Sequence, residues 1–233
     1  MEYIIISFVI ISVAVIIKFA LNIKIKDIKK LKELAFNKEE IKILSKLPES
    51  EDIAKSILKR LNNNHTKIKK SDNPEDTTSI YVVLTDNIII ANIKNTITYV
   101  QTIAHECIHS VQDKAVLWFN FIYTNLYNLF FIVLIILKLF NIINEMVWIA
   151  IFILTGVVYY IVRSYLENDA MIKARFLAKE YMQEKAISTR EEIDKIVNKY
   201  DELNDIGIRC TNFQFLSNIL VKIIILAVIF LIR

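Results

Sequence analysis

Residues 115–140 read AVLWFNFIYTNLYNLFFIVLIILKLF, and residues 146–162 read MVWIAIFILTGVVYYIV. At a rise of 1.5 Å per residue each block approaches or exceeds the roughly 30 Å of hydrocarbon that a membrane helix must cross. Only NIINE, at 141–145, separates them, so the pair reads as a helical membrane hairpin joined by a tight connection. A hairpin returns the chain to the side it left. The polar segments before and after it are therefore expected in one compartment.

Composition supports a membrane class. Of 233 residues, 55% are hydrophobic, and the mean hydropathy is +0.41, more apolar than an ordinary soluble domain. Two glycines and two prolines leave few breakers, which predicts long, continuous helices. The net charge of +4 comes without a dense basic stripe interleaved with aromatics, which argues against nucleic acid as a partner. Cys107 and Cys210 lack CxxC spacing and make no disulfide framework. A reduced compartment fits them, with Cys107 as a packing residue.

Working outward, Tyr3–Leu21 forms a further apolar run, followed by Lys24, Lys26, Lys29, Lys30 and Lys32 without a small-residue cleavage site. It reads as an uncleaved anchor, with the basic flank in the cytoplasm. FLSNILVKIIILAVIFLI reads as a last membrane segment, in which Lys222 is expected to snorkel to an interface. The lipid bilayer is thus one partner. The expected organisation is an anchor at 1–23, an aqueous module at 24–114, the hairpin at 115–163, aqueous helices at 164–212 and a membrane segment at 213–233. The fold class is mainly α, a multi-span helical membrane protein with a small aqueous module containing a short β hairpin or edge strand.

Within that module Ile53, Ile57, Leu58 and Leu61 follow Ser50 at helical spacing, which predicts an amphipathic helix with Ser50 as its N-cap. NNNHTKIKKSDNPEDTT reads as a loop, and IYVVLTDNIIIAN as two β-rich runs around Thr85-Asp86-Asn87, hence a hairpin or edge strand. An exposed edge at Ile88–Ala91 would suit an extended peptide added as a strand. Beyond the hairpin, Ser188 or Thr189 with Glu191 or Glu192 resembles a capping box. Asn120, Asn125 and Asn128 are expected to find partners at an interface or between helices.

Chemistry concentrates in TIAHECIHSVQD, residues 102–113, where His105, Glu106 and His109 make H-E-x-x-H. Residues four apart on a helix differ by about 40° of net rotation, so both imidazoles reach one ion. A zinc ion with three protein ligands keeps a position for water, acidifies that water and polarises a carbonyl. Glu106 is placed to take the water proton as general base and pass it to the leaving amine. A third ligand must come from the same compartment. Glu167 follows the hairpin in LENDAMIKA, residues 166–174, and is the best candidate.

AHECIHSVQD at 104–113 and LENDAMIKA at 166–174 resemble the YugP-type neutral zinc metallopeptidases, bacterial membrane proteins with a gluzincin-like site. Those motifs read A-H-E-V-G-H-A-I-Q-D and E-F-[ND]-A-S-x-x-A in that family. Weaker similarity extends to EDIAKSIL at 51–58, to REEIDKIVN at 190–198 and to the order of spans. The resemblance implies His105, His109 and Glu167 as zinc ligands, Glu106 as base, and Asp169 as a group that orients a ligand. It implies a peptide or protein substrate, including membrane proteins, and a bacterial plasma membrane, while the basic flanks of the spans place the site on its cytoplasmic side by the positive-inside rule. The chain departs from the pattern at Cys107, where the family has Val, and at Ile108, where it has Gly. Rival readings are a catalytically silent adaptor stapled by zinc and a metal-free scaffold with a fortuitous HExxH. His65, Tyr81 and Tyr99 are further candidates for a transition-state donor.

Overall fold

The computed structural model describes residues 2–142 and 145–231. Eight helices and one small sheet are described: α1 (Glu2–Ala20), α2 (Ile25–Ala35), α3 (Lys38–Leu44), α4 (Ser50–Arg60), β1 (Lys67–Lys70), β2 (Ile80–Val82), β3 (Asn87–Ile90), α5 (Tyr99–His109), α6 (Lys114–Leu139), α7 (Glu145–Glu184) and α8 (Arg190–Leu231). The architecture is mainly helical. Three helices, α6, α7 and α8, are long and apolar enough to cross a membrane. The described residues 7–20 of α1 form a shorter apolar helix. Of the NIINE connection, Ile143 and Asn144 lie outside the described residues.

The chain divides into two compact units, residues 1–23, 118–165 and 209–233 in one, residues 24–117 and 166–208 in the other. In the first, the buried cluster includes Ile10, Tyr127, Leu134, Phe152, Ile219 and Phe230. Tyr127 stacks on Phe152 at 4.7 Å between ring centres and on Tyr159 at 5.3 Å. Outward, Phe8, Phe19, Leu126, Leu139 and Leu154 remain exposed, as expected of surface facing lipid rather than water. Lys222, expected to snorkel, has an ammonium that donates to Asn128 Oδ1 at 2.5 Å and lies over the Tyr127 ring, so a neighbouring amide and an aromatic face satisfy it. Asn125 instead donates to the Phe121 carbonyl of its own helix.

Continuity of α7 and α8 follows from the absence of proline, although each holds one of the two glycines. Both prolines, Pro48 and Pro74, lie before α5, so each helix runs through a change between apolar and polar composition that sequence alone divides into separate elements. The start of α8 obeys the capping box: Thr189 Oγ1 accepts from the Glu192 amide, and the Glu192 carboxylate accepts from the Thr189 amide. Ser50, expected as a cap, is instead the first residue of α4, and Glu49 precedes it without a side-chain capping bond.

The second unit is built around Leu44, Ile53, Ile57, Ile88, Ile90, Ile103 and Ala170, all essentially inaccessible. Its sheet has the order β1-β3-β2. β2 and β3 form the expected antiparallel hairpin, with Tyr81 opposite Ile88. β1 is unexpected, since it arises within the stretch read as loop and pairs parallel to β3, with Ile68 opposite Ile88. Its KIKK sequence offers one apolar residue to the core and exposed lysines outward, a pattern suited to an edge strand. This corrects the strand-addition expectation. β3 is paired on both sides, so no peptide can add at Ile88–Ile90, and the open edges belong to β1 and β2.

Candidate metal centre

α5 packs against α4, β2 and β3, which fixes the face it turns inward. Tyr99, Val100, Ile103, Ala104, Cys107 and Ile108 fill the core along that face. Ile108, where the resembling family has Gly, is therefore accommodated as a core side chain at 3% exposure. Cys107 is a packing residue whose buried thiol is pushed up by desolvation, and it does not join the ligand cluster. Neither Cys107 nor Cys210 is in a disulfide.

His105, His109 and Glu167 converge. The two imidazole Nε2 atoms are 3.0 Å apart, and Glu167 Oε2 lies 3.4 Å from His105 Nε2 and 3.6 Å from His109 Nε2. With metal–ligand bonds of about 2.0–2.2 Å, tetrahedral coordination sets ligand atoms about 3.3 Å apart, so this triangle fits one ion with a fourth position left over. Two imidazoles and one carboxylate are also the donor set that suits zinc and its neighbours better than magnesium or calcium. These three residues would hold the ion.

The electrostatics fit a site that needs a cation. Burial lowers the His109 pKa, but the hydrogen bond and charge of Glu167 outweigh it, so the imidazole is held above its usual range. Glu106 is 6% exposed. Burial pushes its carboxyl up, and Glu167 adds to this, while the two histidines and a hydrogen bond from the Tyr81 main chain oppose it. A carboxyl raised in this way is poised to take and return a proton.

The other donors considered from sequence are engaged elsewhere. Tyr81 Oη donates to Asp86 Oδ1 at 2.8 Å, and Tyr99 Oη to the Pro48 carbonyl at 3.2 Å. His65 sits exposed beyond α4, its amide bonded to Asn63 Oδ1. Asp169 does not touch a ligand directly. It accepts from Gln112 Nε2 at 3.0 Å, and Gln112 Oε1 in turn lies 2.8 Å from His109 Nδ1. Gln112 matches the Q of the resembled A-H-E-V-G-H-A-I-Q-D motif, but sequence alone assigns it no role.

No protein-family profile matches the chain, and no curated protein or solved structure matches it at a significant level. The case for the centre thus rests on its own geometry.

Proposed function

We propose that the chain is a membrane-anchored zinc metallopeptidase of the gluzincin-like type suggested by its resemblance to the YugP-type enzymes. The observation that carries this reading is the triangle of His105, His109 and Glu167 donor atoms with the buried Glu106 carboxylate on the same helix. A bound zinc would supply an acidified water and a polarised carbonyl. Glu106, buried on the helix that carries both histidines, takes the proton from the attacking water and delivers it to the departing amine. The outer edge of β2 is the natural seat for an extended peptide, because β2 packs on α5 and Tyr81 of that strand already bonds Glu106 through its main chain. By the positive-inside rule the site faces the cytoplasm of a bacterial plasma membrane.

Glu106→Gln separates this reading from a silent zinc-stapled adaptor. The substitution is expected to leave metal content near wild type and to lower peptide hydrolysis by at least about 100-fold. Wild-type protein that holds zinc yet cleaves neither peptides nor membrane-protein substrates would favour the adaptor instead.

A further inference from the structure

Gln112 stands in the turn that follows α5, and both ends of its carboxamide are used. Nε2 lies 2.9 Å from the Leu166 carbonyl and 3.0 Å from Asp169 Oδ2, both on α7. A carbonyl and a carboxylate can only accept, so that end of the amide is the NH2 group. The end facing His109 is then the amide oxygen, 2.8 Å from Nδ1, and it cannot donate. His109 Nδ1 must carry a proton. In the neutral ring this leaves Nε2 with its lone pair, on the side where His105 Nε2 and Glu167 Oε2 converge.

We infer that Gln112 is a positioning residue of the metal centre: clamped by the Leu166 carbonyl and Asp169, it sets the tautomer of His109 and ties the helix of the histidines to the helix of Glu167. The inference rests on the metal reading of the site. Control runs from α7 to α5, since acceptors beside one ligand dictate the proton position on another. Asp169 is steadied in turn by Lys173, whose Nζ lies 2.7 Å from the second carboxylate oxygen. A separate bridge, from Gln101 through Asn204 to the Met171 carbonyl, also joins α5 to α7 by way of α8. Loss of Gln112 therefore leaves the helices tied and removes the control of ring orientation and tautomer.

The test uses the full chain in detergent, with zinc affinity measured by chelator competition and the visible spectrum of the cobalt(II) form as the ligand-field readout. Gln112→Leu is expected to weaken zinc binding about 10–100-fold and to shift the cobalt bands while helix content stays constant. Asp169→Ala frees the amide from one of its two acceptors and weakens binding in the same direction. Asp169→Asn restores an acceptor and brings affinity back to within about threefold of wild type, a recovery that general loosening of the fold would not give. The Asp169 pair decides the matter if Gln112→Leu does not fold. Affinities for Gln112→Leu and Asp169→Ala both within about threefold of wild type, with unchanged cobalt spectra, would overturn the inference. Wild-type protein that binds neither metal would instead sink the metal reading itself, and the inference with it.

Discussion

His105 Nε2 and Glu167 Oε2 lie 3.4 Å apart, although all of α6 and the apolar part of α7 separate them in sequence. Such convergence places a carboxylate against an imidazole that already faces a second imidazole. Without a cation the three donors satisfy each other only in part, since two facing ring nitrogens need one shared proton between them.

Metal binding should therefore stabilise the fold, and Glu167 should be needed for it. Zinc at about 100 times its dissociation constant adds about 2.7 kcal/mol to the folded state. Wild-type protein is expected to melt at a higher temperature with zinc than after chelation, and to carry close to one equivalent by elemental analysis. Glu167→Ala should lose most of both effects. A zinc-dependent melting shift that survives intact in Glu167→Ala would remove it from the ligand set.

Asp86 sets an acid limit on the β2–β3 turn. It accepts from Thr66 Oγ1 and Tyr81 Oη, each at 2.8 Å, and lies 3.6 Å from the Lys114 ammonium. Burial raises its pKa, but these bonds and the lysine charge outweigh burial, so its carboxyl is held below the usual carboxylate range. A group depressed on folding stabilises above its unfolded pKa, about 3.9, and loses that contribution as pH falls through the folded value. Asp86→Asn keeps a side chain suited to the turn's positive φ of 49° but removes the charge. The melting-temperature gap between wild type and Asp86→Asn should be open at about pH 7 and narrow below about pH 4. A gap that stays constant across this range would show that the charge of Asp86 contributes nothing.

Much of this arrangement is legible in the sequence, for identifiable reasons. The α6 and α7 spans show because lipid demands an unbroken apolar run, and HExxH shows because helical periodicity fixes what His105 and His109 share. Glu167 is legible because a hairpin of two spans would return the chain to the side it left, and because LENDAMIKA resembles a family motif. β1 is hidden, since this edge strand offers the core one half-buried residue, Ile68, and otherwise reads as a polar loop. The role of Gln112 is hidden for a different reason, although the residue matches the Q of the resembled motif. Its partners include a main-chain carbonyl on α7, and no side-chain pattern encodes which carbonyl a folded helix will present.

The two glycines should respond to alanine with opposite signs. A Cβ on Gly156 would meet Ile219 Cγ2 at 2.9 Å and Tyr127 Oη at 3.0 Å, within the packed aromatic cluster. Gly156→Ala is expected to cost about 1–3 kcal/mol, the usual penalty for overpacking. A Cβ on Gly207, in the polar part of α8, meets nothing within 4 Å. Gly207→Ala should therefore stabilise by about 0.5–1 kcal/mol through helix propensity alone. Melting of each variant in detergent checks both signs, and destabilisation by Gly207→Ala would reveal a constraint on α8 beyond its own backbone.

Ala186 carries the backbone strain that glycine scarcity imposes. Asn22, Asn62, Asp86 and Asn141 also have positive φ, and their short polar side chains tolerate the left-handed region. Ala186 has φ of 47° without that compensation. It follows α7, where its amide bonds the Gln183 carbonyl and the Ile187 amide bonds the Met182 carbonyl, the pattern of a Schellman cap. Ile187 then packs against the core beside α7, so the turn cannot relax without moving that contact. Left-handed alanine costs about 1–2 kcal/mol, and glycine gives back part of this through its greater freedom when unfolded. Ala186→Gly is accordingly expected to raise stability by up to about 1 kcal/mol without affecting metal affinity. A fall in melting temperature would mean that unfolded-state entropy exceeds the strain relieved at this cap.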